Sequence, residues 1–171
     1  MVASAGGALG ALGALLQLIA RWARLYADQK AVSAGFTYLH LAGILVGGGF
    51  AVAADRAALR LSPDPHPEWS RDLASLTTVH RWVIAGLVVT FVSGVFMMLA
   101  DLDTYLASVV FWTKMGLIVL LIANGYLKLR AEAALRNGVV PAWRRLRRTT
   151  VISLILWFAV LLAGTILTAA A

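Results

Sequence analysis

The chain has 171 residues, of which 61% are hydrophobic and only 13% charged, a composition too apolar for an ordinary soluble domain and expected of an all-α integral membrane protein. It contains no cysteine, which excludes disulfides, thiolate catalysis, iron–sulfur clusters and thiolate-ligated metals and leaves imidazole, thioether, amine and carboxylate as ligands. The formal net charge of +7 is concentrated in one stretch near the C-terminus, which speaks for membrane topology and against a nucleic-acid partner.

Residues 1–30 form an apolar, then amphipathic, segment. Val2 to Ala20 is apolar apart from Ser4 and Gln17, and lacks the positive n-region of a secretory signal, so it is expected to be retained. Arg21, Arg24, Asp28 and Lys30 then alternate with Trp22, Leu25 and Tyr26, the pattern of an interfacial helix with an aromatic anchor. This helix is either interfacial or a fifth span. Gly6, Gly10 and Gly13 would let it approach another helix closely, for example in a neighbouring subunit.

Residues 31–171 read as a four-helix transmembrane bundle in the lipid bilayer. A hydrocarbon core of about 30 Å needs about 20 apolar residues in a helix. Such runs lie at 36–54, interrupted only by His40; at 82–100, without charge; at 106–127, with only Lys114; and at 149–171, without charge. Between the third and fourth runs sit Lys128, Arg130, Arg136, Arg144, Arg145, Arg147 and Arg148 against Glu132 alone. The positive-inside rule therefore places loop 128–148, and with it loop 55–81, in the cytoplasm of a bacterial inner membrane. The connection carrying Asp101 and Asp103 then lies outside.

The polar residues inside these runs are the candidates for chemistry, because a charge near mid-bilayer must find a cavity or a partner. His40 and Lys114 fall at comparable depth from the same side. His40, Gly43 and Gly47 share one helix face, where an imidazole above a smooth strip suits an iron macrocycle; the same glycines also suit helix packing, and a lone histidine can simply hydrogen-bond a neighbour. Lys114 has two readings. It snorkels towards Asp101 and Asp103, or it pairs with a cofactor propionate, acts as an axial or proton-transfer amine, or recognises an anionic substrate. His80 and Arg81 form an interfacial pair beside Trp82, or a second ligand and an anchor for substrate carboxylates; Arg56 carries the same two readings. Asn124 is expected to bond between helices. Met97, Met98 and Met115 near His40 raise Cu(I) as a ligand, and His66 lies in a proline-rich turn, Ser62 to Pro67, where it is expected to be exposed and structural. Nucleotide loops, metalloprotease motifs, hydrolase elbows and paired carboxylates are not found.

Three stretches carry a resemblance. Tyr38-Leu39-His40-Leu41-Ala42-Gly43, with Gly49-Phe50 and Arg56 beyond, is similar to the first helix of HemJ-type protoporphyrinogen IX oxidases. His80-Arg81-Trp82 with Thr90 and Gly94 resembles the next helix of that family, and Phe111 to Leu120, containing Trp112 and Lys114, resembles its tryptophan-and-lysine helix, which CopD-like membrane proteins share in related form. The resemblance covers about residues 38–126. It implies a haem b module with His40 as the iron ligand and Lys114 as the functional amine, oxidising protoporphyrinogen to protoporphyrin. The leading expectation is thus a membrane haem redox protein passing electrons from a porphyrinogen-like substrate to the quinone pool, with Lys114 and Arg81 steering substrate and His40, Gly43, Gly47, His80 and Lys114 around the cofactor. A cofactor-free accessory or assembly subunit of a larger membrane complex or homo-oligomer is the alternative, and copper or small-solute transport a third.

Overall fold

The computed structural model describes the backbone over 2–61 and 69–170 and the side chains over 10–61 and 78–169. His66 lies outside the described residues. Among the described residues six helices follow one another: α1 (Val2–Asp28), α2 (Lys30–Arg60), α3 (Trp69–Ala100), the short α4 (Leu102–Ala107), α5 (Val109–Arg136) and α6 (Ala142–Ala170). Four helical segments among the described residues, Lys30–Arg60, Thr78–Ala100, Val109–Arg136 and Ala142–Ala169, are long and apolar enough to cross a membrane. The expected all-α bundle is therefore what the chain forms.

The helices outrun the apolar stretches that announce them. At 1.5 Å per residue α2 is about 46 Å long, well beyond the hydrocarbon core. It continues through Asp55 to Arg60, α5 continues through Lys128 and Glu132 to Arg136, and the connection between α5 and α6 shrinks to 137–141. The expected loops at 55–81 and 128–148 are correspondingly shorter. A side chain following a hydrophobic run can stay helical because tertiary partners, not apolarity, hold it there. At the other end the third span begins at Val109 and not at Leu106. Ser108 is extended and its hydroxyl accepts the Phe111 N–H at 3.3 Å, while Asp101 caps α4 by accepting from Thr104 N–H at 3.4 Å. Burial, with Tyr26 and Asp101 nearby, raises the Tyr105 phenol on α4 above its ordinary range and keeps it neutral.

Helix α5 stops in a Schellman motif. Gly138 adopts φ +79°, its N–H donates to Leu135 O at 2.9 Å, and Val139 N–H donates to Ala134 O at 3.0 Å. The chain thereby reverses within five residues into α6.

The bundle runs up, down, up, down. Helices α2 and α3 pack along their length, α5 and α6 likewise, and α6 closes against α2. Among the described residues α2 and α5 make no close backbone approach, nor do α3 and α6, so these pairs are the diagonals. The α2–α3 contact is made by backbone: a Cβ on Gly86 would overlap Gly47, and one on Gly43 would stand 2.8 Å from Gly86 O and overlap Thr90 Oγ1. Such close approach supplies the dispersion contact that holds helices together where lipid removes the hydrophobic drive.

The outside is apolar, with Leu45, Phe91, Val119, Phe158 and Leu162 largely exposed, as a bilayer solvent requires. The interior is small or polar. Its packed core, Ala54, Ala58, Ala131, Leu135, Ala142 and Leu146, sits at the Gly138 end.

Helix α1 meets the bundle at the opposite, α4 end. Trp22 Nε1–H donates to Phe96 O at 2.8 Å, and the Trp22, Phe36 and Phe96 rings lie 5.0 to 5.2 Å apart. Further towards its N-terminus Gly10 and Gly13 meet no atom within 4 Å that a Cβ would touch, and Leu12, Leu15, Leu16 and Leu18 are exposed.

Candidate functional site

Two polar layers occupy the bundle interior, one near each end. They are separated by about 22 Å along α2, from His40 to Asp55, at 1.5 Å per residue.

The layer at the α4 end contains His40 and Lys114, facing inwards from the diagonal helices α2 and α5. His40 Nδ1 lies 2.9 Å from the Thr90 carbonyl and 3.3 Å from Ser93 Oγ on α3. A carbonyl only accepts, so Nδ1 carries the proton and donates to it, and in the neutral ring Nε2 bears the lone pair. Ser93 Oγ–H itself donates to Val89 O at 2.6 Å. The ring rests on Gly94, where a Cβ would come within 3.1 Å of His40 Cε1. Gly94 thus leaves room for the imidazole. Lys114 is within electrostatic reach of His40, and its ammonium lies against α6, 3.5 Å from where a Cβ on Gly164 would stand. Among the described residues it forms no ion pair with Asp101 or Asp103.

The layer at the Gly138 end contains residues that hydropathy had assigned to loops. Lys128 Nζ and Asp55 Oδ1 form a direct ion pair across the diagonal. Glu132 Oε1 lies 4.0 Å from Lys128 Nζ, and Glu132 Oε2 lies 3.8 Å from His80 Nε2 on α3. Asp55 and Glu132 are each 1% exposed and Lys128 6%. Among the described residues nothing donates a hydrogen bond to Asp55 Oδ2 or to either Glu132 oxygen. Between the two layers Asn124 Nδ2–H donates to Thr149 O at 2.8 Å, the interhelical bond expected of it.

The sequence candidates therefore separate. His40 and Lys114 share one layer, within electrostatic reach of each other. His80 stands in the other layer, so it cannot share a bound group with His40. Arg81 is exposed, its guanidinium 5.5 Å from the Trp82 ring, which stacks on Phe50 at 6.0 Å; Arg56 is also exposed. Gly43 and Gly47 are buried under α3, so the smooth strip is filled by Gly86 and Thr90 and offers no free bed for a macrocycle. Among the described residues no group of three His, Asp or Glu side chains is placed to hold a metal ion.

Asp55, Lys128 and Glu132 were missed because their charge argues for a loop. Helical phase was the available signal: Asp55 continues the face of Gly47 and Ala51, and Lys128 and Glu132 continue that of Leu121 and Asn124. Compared with known proteins, the chain matches no family model, no curated protein and no solved structure.

Proposed function

We propose that the chain is a haem b-binding membrane redox protein in which His40 ligates the iron and Lys114 is the cationic group beside it. One observation carries the reading: the Nδ1–H bond to Thr90 holds the imidazole in the tautomer that presents Nε2 as a ligand, the usual preparation of a metal-binding histidine. His40 and Lys114 would hold the group, with Thr90, Ser93 and Gly94 orienting the ring; Gly43 and Gly47 serve helix packing instead. A bound haem supplies reversible one-electron exchange. Lys114, inside the bundle, favours an anionic group next to His40, whether a propionate or a substrate carboxylate. In the form implied by the resemblance to HemJ-type oxidases, a porphyrinogen-like substrate is oxidised and electrons pass to membrane quinone. The basic end, with Arg144, Arg145, Arg147 and Arg148, faces the cytoplasm of a bacterial inner membrane.

The test is the absorption spectrum of protein purified in mild detergent from cells supplied with a haem precursor, oxidised and dithionite-reduced. A Soret and α-band signal that His40→Ala abolishes is expected. A colourless wild type, or full haem occupancy in His40→Ala, overturns the assignment.

A second reading, a subunit of a larger membrane complex, is favoured by α1. Its Leu12, Leu15, Leu16 and Leu18 are exposed and its Gly10 and Gly13 are open among the described residues, as a helix that docks on another chain would present them. Stoichiometric copurification in mild detergent that is lost on deleting 2–20 is the expected outcome, and a strictly monomeric protein refutes it.

A further inference from the structure

Among the described residues the buried layer at the Gly138 end is unbalanced in charge. It holds two carboxyls, Asp55 and Glu132, one buried ammonium, Lys128, and one imidazole, His80, with the Arg136 guanidinium exposed at its edge. With both carboxyls ionised against the one buried ammonium, an uncompensated negative charge would sit where water is excluded, and a buried carboxyl in that position takes up a proton instead. The geometry says which carboxyl takes it. Lys128 bonds directly to Asp55, whereas it is 4.0 Å from Glu132, whose two oxygens accept no hydrogen bond among the described residues although a carboxylate has about four sites for donors. Among the described residues the charged groups acting on Glu132 are Lys128 and Arg136 of its own helix, His80 of α3 and Asp55 of α2; α6 adds Ala142 and Leu146 to the adjoining core.

We propose that Glu132 is a proton-exchange site, protonated at rest, and that His80 carries its proton to and from water at the basic end of the bundle. His80 is suited to this because its side chain is 22% exposed while Glu132 is 1% exposed. Their 3.8 Å separation is closed by one intervening water or a small side-chain rotation. In the transfer the O–H bond of Glu132 breaks and an N–H bond forms at His80 Nε2, leaving a carboxylate beside an imidazolium. The partly exposed imidazolium then passes one proton on towards water, and the layer has lost one positive charge. Lys128 and Arg136 stabilise the carboxylate that remains, so the proton is exchangeable and not permanently trapped. None of this depends on a haem at His40.

Infrared difference spectroscopy of the full chain in detergent tests the proposal, reading the carbonyl stretch of a protonated carboxylic acid. The chain has only two glutamates, Glu68 and Glu132, so ¹³C-glutamate labelling in a Glu68→Gln background assigns the band to Glu132. The expected result is a band at neutral pH that shifts with the label, shifts again in D₂O, disappears on alkaline titration and is lost in Glu132→Gln. In His80→Phe the band remains, but its deuterium exchange slows by about a hundredfold, the scale of a lost positioned acid–base group. The proposal is overturned by a glutamate that shows no protonated band at neutral pH. It is equally overturned by a band insensitive to the label and lost in Asp55→Asn, or by unchanged exchange in His80→Phe.

Discussion

Asp55 of α2 and Lys128 of α5 are joined by a buried ion pair although their helices nowhere approach each other by backbone. The long lysine stem spans the diagonal of the bundle. An interior pair of this kind is costly to form and more costly to break, because removing one partner strands the other charge away from water. Lys128→Met should therefore lower stability by about 3–5 kcal/mol. Adding Asp55→Asn should recover part of that loss, since the stranded carboxylate is gone. Chemical denaturation in detergent micelles reads both, and a double variant less stable than Lys128→Met would refute a charge-driven effect.

Gly86 and Gly47 set the closeness of α2 and α3. Gly86→Ala puts a methyl into the Gly47 backbone and within 2.7 Å of Gly43 O, and should cost about 1–3 kcal/mol as the helices separate. Gly49→Ala and Gly116→Ala are the controls, for a Cβ there meets nothing within 4 Å. They should stay within about 0.5 kcal/mol of wild type or stabilise it. Melting temperatures that rank the three alike would show that the contact is not tight.

Gly138 holds the left-handed position that ends α5. A Cβ there meets no neighbour, so the cost of Gly138→Ala is conformational alone, about 1–2 kcal/mol. Asparagine tolerates the region better, and Gly138→Asn should retain more stability than Gly138→Ala in the same denaturation measurement.

Trp22 fastens α1 to the bundle through one hydrogen bond and the Phe36 and Phe96 rings. Trp22→Ala should release α1, seen as faster amide hydrogen exchange over 21–36 with little change around Gly86. Trp22→Phe keeps a ring and loses the bond to Phe96 O, a change of about 1 kcal/mol. Uniform exchange changes through α3 would mean that α1 is part of the core.

The identity of the four spans was legible because each helix satisfies its own backbone hydrogen bonds, so a run of apolar residues suffices to announce it. That His40 and Lys114 share a layer was half legible. Both break an apolar run at similar depth, which depends only on rise per residue. That Thr90 and Ser93 orient the ring, and that Gly94 makes space for it, depends on how α3 is rotated against α2.

The opposite holds for Gly43 and Gly47. A strip of small residues serves a flat ligand and a facing helix equally well in one dimension, and the choice was made by Gly86, a residue on another helix.

Composition, span number and the basic polarity of the C-terminal half were determined by the sequence on its own, since hydropathy and charge act locally along the chain. Only the tertiary structure decided that Asp55, Lys128, Glu132 and His80 form one buried layer. Their positions flank the apolar runs, where charge ordinarily means water. It is the convergence of three helices around them that takes the water away and turns surface charges into an interior site.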